Sequence, residues 1–159
     1  MTSHFELRAA EPADEAGIRS LLASAGLPSS DIALARQDFV LALQGGVLVG
    51  CAGLEVYGDA GLLRSYAVVP ERRNGGLGAA LHARVLALAA SRGVRTAYLL
   101  TTTAERFFAR AGFERIERAE VPAAVAASPE FRTLCPATAV CMRRLLGDHP
   151  PPTSSRSLR

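Results

Sequence analysis

The chain has 159 residues and a formal net charge of +3, and all of its 18 basic side chains are arginine. Apolar residues make up 49% and charged residues 21%, which is typical of one ordinary globular domain. The mild charge, without basic runs interleaved with aromatic residues, argues against a nucleic-acid-binding protein. No apolar run approaches the roughly 18 residues of a membrane span, and the N-terminus lacks a secretory leader pattern, so we expect a cytoplasmic protein.

The first half of the chain predicts one helix and four strands. FELRAA alternates as a strand does, and EPADEAGIRSLLASAGLP follows as a helix that ends at Gly26 and Pro28. The next segment, DIALARQ, is compatible with either a short helix or a loop. Three strands then follow, DFVLAL, VLVGCAGLEVYG and GLLRSYAVV, joined by glycine turns short enough for hairpins.

The second half predicts helices alternating with strands. A long helix from about Gly76 to Ser91 stops at Gly93, and the strand VRTAYLL comes after it. TTTAERFFARAGF is a short helix, capped by a threonine near 101–103 and closed by Gly112. ERIERAEVP is predicted to be a strand, AAVAASPEFRTLC a loop with a short helix, and TAVCMRRLL a last strand that is exposed and able to support a homodimer.

This element order predicts an α+β fold in a single domain over residues 1–146. A mixed and mostly antiparallel central sheet is flanked by helices, and one βαβ unit follows the hairpins. The proline-rich segment 147–159 is predicted to be a disordered tail.

Cysteine and histidine are sparse and scattered. The cysteines, odd in number and without CxxC spacing, are predicted to be buried reduced thiols; they are Cys51, Cys135 and Cys141. The histidines form no triad and no metal set, and we expect each to be structural or solvated; they are His4, His82 and His149. We therefore predict no metal site.

The glycine-rich turn VVPERRNGGLGAA, which leads into the long helix, is the strongest local motif. Gly75, Gly76 and Gly78 carry no Cβ atoms, so a ligand can approach the backbone closely. The first amides of a helix lack internal partners and attract phosphate, and Arg72 and Arg73 add charge beside them. The turn predicts a polyanion site, although a plain turn with surface arginines would look similar. It lacks the GK[ST] of a P-loop and the register of GxGxxG.

Two motifs in this chain resemble those of the GNAT acyltransferases. RNGGLGA, from Arg73 to Ala79, matches the family signature R/Q-x-x-G-x-G/A, and FFARAGF, from Phe107 to Phe113, resembles the family's F-Y-x-x-x-G-F. They stand in the expected order with a strand between them, and the resemblance runs from Phe5 to Val140. It implies a GNAT N-acetyltransferase that uses acetyl-CoA as co-substrate and acts on a small-molecule amine.

The resemblance also implies where coenzyme A binds. Its pyrophosphate would lie on the amides of the glycine turn, and its pantetheine arm would pair with the edge of strand 66–69. The cofactor-binding residues are then Ala67, Val68, Val69, Arg73, Asn74, Gly75, Gly76, Leu77, Gly78, Ala79, Phe107, Phe108 and Arg110.

The catalytic residues depart from the family pattern. Many members place a tyrosine as general acid where this chain has Phe108, which cannot donate a proton. Glu55 is the candidate base, acting through water, and Tyr66 is the other candidate catalytic residue. Strand alternation predicts that Leu62, Arg64, Tyr66 and Val68 share one face.

Arg64 has two interpretations. In the structural interpretation, Arg64 forms a salt bridge with Glu55 or lies on an exposed face. In the functional interpretation, it clamps an anionic group of the substrate. Thr101, Thr102 and Arg132 are the other candidate substrate-binding residues.

A finer resemblance concerns the acceptor. LLTTTAERFFARAGF is similar to a stretch of the N-acetylglutamate synthases, whereas GCAGLEVYGDAGLLRSYAVVP with TLCPATAVCMRR more closely resembles GNAT proteins associated with arsenic resistance. Leu62, where the synthases have glutamate, counts against the synthase. Both resemblances imply the amino group of an acidic amino acid or a toxic analogue such as arsinothricin or phosphinothricin. Alternatives are acetylation of protein amines and, because of Phe108, a non-catalytic acetyl-CoA sensor.

Overall fold

Seven strands and four helices make up the computed structural model, which describes residues 4–73, 75–134 and 136–146. The strands are β1 (Glu6–Ala9), β2 (Asp38–Gln44), β3 (Val47–Tyr57), β4 (Ala60–Val68), β5 (Thr96–Thr101), β6 (Glu114–Ile116) and β7 (Val140–Leu145). The helices are α1 (Glu15–Ser24), α2 (Leu77–Ser91), α3 (Glu105–Arg110) and α4 (Ala123–Ala126). Short 3₁₀ turns cover Pro12–Asp14, Pro70–Arg72 and Arg118–Glu120, and a π-helical turn covers Glu130–Leu134.

All strands join one sheet with the order β1-β2-β3-β4-β5-β7-β6. Neighbours are antiparallel except β4 and β5, which are parallel because α2 crosses over between them. The predicted α+β architecture, a mixed and mostly antiparallel sheet flanked by helices, is confirmed.

The predicted last strand, now β7, does not lie at an edge. Its backbone pairs with β5 on one side and with β6 on the other, so β1 and β6 are the edge strands of the described sheet. The expectation that the last strand is an exposed edge is therefore wrong, and the homodimer itself stays a prediction. The predicted tail at 147–159 lies outside the described residues.

Most helix ends fall close to their predicted places. The α2 helix ends at Ser91, and Gly93 has the left-handed φ of +83° expected of a C-terminal stop. DIALARQ forms turns without a helix. The N-cap of α3 is Ala104 rather than a threonine, although the Ala104 N–H donates to Thr101 Oγ1 at 3.0 Å.

Helices cover both faces of the sheet. The α2 helix buries Leu81 and Val85 against one face, and α1 buries Ile18 and Leu22 against the other. Within the described residues, no helix is long and apolar enough to cross a membrane.

Two of the three cysteines fall in the described part of the chain. Cys51 and Cys141 are buried and reduced, as predicted, and Cys135 lies outside the described residues. Burial raises the pKa of Cys51 to about 12 and that of Cys141 to about 11, so both thiols stay protonated near neutral pH.

A β-bulge in β4 reverses the side-chain alternation there. Cys51 pairs with Ala67 but Gly53 pairs with Arg64, so β4 has one residue more than β3 between these pairs, and Ser65 takes a left-handed φ of +60°. The prediction that Leu62, Arg64, Tyr66 and Val68 share one face is therefore wrong. Tyr66 packs on the α2 side of the sheet, whereas Arg64 bonds to groups on the opposite side.

Candidate active site

A cavity of about 520 Å³ opens where β4 and β5 separate. The two strands pair only from Ala60–Thr96 to Leu62–Tyr98, and beyond that point β4 residues 63–66 and residues 99–104 form the two walls. Residues 26–28, Phe108, Glu130 and Pro136 complete the lining. Because the bulge turns Arg64 and Tyr66 to opposite faces, the cavity has an α2 side and an opposite side.

The structure brings five of the predicted catalytic, substrate-binding and cofactor-binding residues together in this cavity; they are Arg64, Tyr66, Thr101, Thr102 and Phe108. Two of the predicted catalytic and substrate-binding residues do not line it. Arg132 is exposed on the π-helical turn, with its side chain at the surface, and Glu55 is buried behind Arg64. Their predicted roles in substrate binding and catalysis remain predictions.

The glycine turn leads from β4 to the start of α2. Gly76 is the N-cap residue with a left-handed φ of +84°, and the first intrahelical bond runs from the Ala80 N–H to the Gly76 oxygen at 3.0 Å. The amides of residues 77–79 therefore have no acceptor within the helix. Gly75 and Gly76 are exposed, and Arg73 donates through Nε to the Val68 carbonyl at 3.0 Å, which holds its charge beside the turn.

The remaining predicted cofactor residues occupy varied positions. Val68 packs on the α2 side, Ala67 is buried on the other side, and the Val69 N–H already donates to the Val49 carbonyl at 2.9 Å. Leu77 is buried, Ala79 is exposed, Gly78 and Phe107 are half-buried, and Arg110 is exposed at the end of α3; Asn74 lies outside the described residues.

Arg64 is the centre of a buried ionic cluster. Its guanidinium donates bidentately to Asp31 at 2.5 and 2.7 Å and to Glu55 at 2.8 Å, and Glu130 lies 3.8 Å away. Its Nε donates to Ser65 Oγ at 3.0 Å. Burial lowers the pKa of Arg64, but the hydrogen bond that it donates to Asp31 and the charges of the carboxylates outweigh burial, so the pKa is raised above its usual value.

Both carboxylate oxygens of Glu55 accept hydrogen bonds from neighbouring side chains. One carboxylate oxygen accepts from Arg64 and from Gln37 Nε2 at 2.7 Å, and the other accepts from the Tyr57 hydroxyl. Burial and the neighbouring carboxylate raise the pKa of Tyr57, so it stays a donor. The salt bridge between Arg64 and Glu55, one of the two interpretations, is confirmed.

Sequence reasoning missed three members of this cluster; they are Asp31, Gln37 and Glu130. Asp31 is 33 residues from Arg64, and no local motif in the sequence predicts the contact between them. Glu130 is two residues before Arg132 and lines the cavity, whereas Arg132 is exposed and does not line it. The sequence does not show that Glu130 is buried, whereas in the structure only 5% of it is exposed.

Tyr66 and His82 form a second polar pair, on the α2 side of the sheet. The Tyr66 hydroxyl lies 2.6 Å from Nδ1 of His82, and the Tyr66 ring meets Phe108 edge-on at a centroid distance of 5.3 Å. Burial raises the pKa of Tyr66. Burial, helped by the charge of Arg144, lowers the pKa of His82 to about 4, so the imidazole is neutral near pH 7.

Comparisons with known proteins agree with this architecture. Curated relatives include the amino-acid acetyltransferases of Ectopseudomonas mendocina, 36% identical over 90 residues, and of Azotobacter vinelandii, 35% identical over 89 residues. Each alignment covers 55% of this chain and 21% of the relative. The chain therefore spans about a fifth of the length of the curated relatives it matches.

Solved structures share the fold. N-acetylglutamate synthase from Neisseria gonorrhoeae, complexed with coenzyme A and L-arginine, superposes with a TM-score of 0.75 at 24% identity, covering 91% of this chain and 34% of that one. A Mycobacterium tuberculosis protein in complex with CoA and NLQ gives 0.73 at 27% identity, covering 89% and 99%. The model of the acetyltransferase (GNAT) family matches residues 9–113. This chain belongs to the GNAT acetyltransferase family.

Proposed function

We propose that this protein is an N-acetyltransferase that transfers the acetyl group of acetyl-CoA to the amino group of a small acidic amino acid or a toxic analogue of one. The analogues we favour carry an arsinic or phosphinic acid, as arsinothricin and phosphinothricin do, which would make the protein a cytoplasmic arsenic-resistance enzyme. The observation that carries the proposal is the cavity between β4 and β5, with the glycine turn leading from β4 into α2 and Arg64 in its wall.

The glycine turn fits the pyrophosphate of coenzyme A. Exposed glycines, an N-cap in the left-handed conformation and first-turn amides without an acceptor inside the helix suit a phosphate group. The edge of β4 beyond Leu62 faces the cavity, where a pantetheine arm can pair with it. Acetyl-CoA supplies an activated acetyl thioester when bound.

The cavity between β4 and β5 suits an amino acid. Carboxylates outnumber the guanidinium three to one around Arg64, and Glu130 lines the cavity, so an approaching ammonium group is favoured there. Thr101 and Thr102 add hydroxyl groups to the facing wall. Arg64 can bind an acid of the substrate only by sharing its guanidinium with Asp31 and Glu55.

Tyr66 is the residue best placed to replace the missing tyrosine of α3. Phe108 cannot donate a proton, but the Tyr66 ring lies against it and lines the same cavity. In our proposal Tyr66 gives its hydroxyl proton to the departing thiolate. Phe108 helps to exclude water from that wall.

Two alternative functions have specific support. The curated relatives are amino-acid acetyltransferases and a fold neighbour is an N-acetylglutamate synthase, which favours glutamate itself as acceptor. A non-catalytic acetyl-CoA sensor is favoured only by Phe108. Both keep the glycine turn as the site for coenzyme A and differ in the reaction.

The test is thiol release from acetyl-CoA with a panel of acceptors. The panel holds glutamate, other acidic amino acids, and their phosphinic and arsinic analogues, with alanine as an uncharged control. Faster turnover of an analogue than of glutamate supports the detoxifying enzyme. Turnover of glutamate alone supports the synthase, and tight acetyl-CoA binding without any turnover would overturn the enzymatic proposal.

A further inference from the structure

His82 is a polar residue in an otherwise aromatic pocket. It stands on α2, is only 5% exposed, and is surrounded by the rings of Phe107, Phe108 and Phe113 at centroid distances of 5.5 to 5.7 Å. Within the described residues, its Nε2 atom is buried without a hydrogen-bond partner. Among the described residues, the one hydrogen bond of the His82 side chain joins Nδ1 and the Tyr66 hydroxyl, at 2.6 Å.

Burying an imidazole nitrogen without a hydrogen-bond partner costs free energy of folding, so we expect its single polar contact to have a role. A leucine would fill the same apolar pocket without burying an unpaired nitrogen. The burial that disfavours the imidazolium form also makes His82 a poor base for the reaction near neutral pH. What a neutral imidazole can do is choose the direction in which the Tyr66 hydroxyl points.

The neutral ring has two forms with opposite effects on Tyr66. With the proton on Nε2, Nδ1 accepts the Tyr66 hydrogen, and a buried N–H is left without an acceptor. With the proton on Nδ1, the ring donates to the Tyr66 oxygen, whose own hydrogen is then directed elsewhere, and only a lone pair is left unpaired at Nε2. In folded proteins, a buried N–H without an acceptor is rarer than a buried lone pair without a donor. Tyr66 also lines the cavity, so its hydroxyl hydrogen can point towards a molecule bound there.

We propose that His82 is a positioning residue that carries its proton on Nδ1, donates it to the Tyr66 oxygen and turns the Tyr66 hydroxyl hydrogen into the cavity. This deepens, and rests on, the proposed acetyl transfer. During transfer the Tyr66 O–H bond breaks and an S–H bond forms on the departing thiolate. The electron pair stays on the Tyr66 oxygen, where the Nδ1–H stabilises it. The proton that the acceptor amine loses on forming its N–C bond returns to Tyr66.

The first test needs no activity. Nitrogen NMR spectra of the histidine side chains, assigned with His82→Leu, distinguish a ring protonated on Nδ1 from one protonated on Nε2. We expect Nδ1, and protonation on Nε2 would overturn the inference. Spectroscopic titration of the phenols adds a second readout, because His82→Leu removes the donor to Tyr66 and is expected to raise the pKa of Tyr66 further.

A double-mutant cycle tests the consequence for catalysis. With the best acceptor from the panel, Tyr66→Phe is expected to lower kcat by about 100-fold and His82→Leu by about tenfold, with KM for acetyl-CoA little changed. His82→Leu should have no further effect in the Tyr66→Phe background. His82→Asn places an amide N–H near the position of Nδ1, so it should retain more of kcat than His82→Leu.

The outcomes separate the two proposals. A wild-type protein without turnover on any acceptor overturns the acetyl transfer, while the NMR result still decides the state of His82. If Tyr66→Phe lowers kcat and His82→Leu does not, the positioning role of His82 is wrong and the enzyme remains. Additive effects of the two substitutions in the cycle would also contradict it.

Discussion

The two ends of the candidate site, the glycine turn and the buried cluster around Arg64, are built in different ways. The glycine turn is exposed and presents backbone amides, while its left-handed residue, Gly76, sets the start of α2. The opposite end is buried and presents side chains, with Arg64 held among Asp31, Glu55 and Glu130. A site made of backbone depends on local conformation, whereas a site made of buried charges depends on every partner being present. The two ends should therefore respond differently to substitution and to pH.

The largest effect is expected at the buried end. Arg64→Ala leaves three carboxylates without their shared partner, and we expect the free energy of unfolding to fall by about 3–5 kcal/mol. Denaturant unfolding measures this loss. The matched control is Arg92→Ala, which removes an exposed ion pair with Asp38 of the same 2.8 Å length as the pair between Arg64 and Glu55. That control should cost less than about 1 kcal/mol. Equal losses in the two variants would contradict the distinction between the ends.

A pH effect of intermediate size is expected from His82. Its folded-state pKa is lowered from 6.5 to about 4, so the unfolded chain binds a proton that the folded chain excludes between these values. The stabilisation is complete above pH 6.5 and is lost as the pH falls towards 4, by up to about 3 kcal/mol. Unfolding measured across this range should show a shallower decline in His82→Leu. An equal decline in the wild type and in His82→Leu would contradict this assignment.

A smaller effect on stability is expected at the glycine turn, together with a loss of binding. Gly76→Val forces a β-branched residue into a left-handed conformation, which costs about 1–2 kcal/mol. Gly93→Val carries the same strain at the other end of α2, where φ is +83°. Both variants should lose similar stability, but only Gly76→Val should weaken coenzyme A binding, by at least about tenfold in calorimetric titration. Similar affinity for coenzyme A in the two variants would contradict the proposal that the glycine turn binds the pyrophosphate.

The glycine-turn end could be predicted from the sequence because its determinants are consecutive. The run from Arg73 to Ala79 carries the glycines, the charge and the helix start together, and α2 begins within one residue of its predicted position. Local backbone conformation and helix capping explain this part of the site without knowledge of distant residues.

The buried end could not be predicted in the same way. Its partners come from separate segments of the chain, and Asp31 gives no local sign that it will meet Arg64. The bulge at Ser65 changes which side chains share a face, and strand alternation alone cannot locate a bulge. Glu130 lines the cavity and Arg132 is exposed although both lie on one π-helical turn, and the sequence alone does not show which of the two faces the cavity.

The most direct measurement is amide hydrogen exchange of the whole protein with and without coenzyme A. We expect slower exchange at residues 75–80 and along β4 residues 63–68, where the turn and the unpaired strand edge would bind the ligand. Exchange at residues 29–37 and 128–134, on the acceptor side, should stay unchanged. Protection confined to the acceptor side, or no protection anywhere at saturating coenzyme A, would contradict a site that binds coenzyme A at the glycine turn and the amine at Arg64.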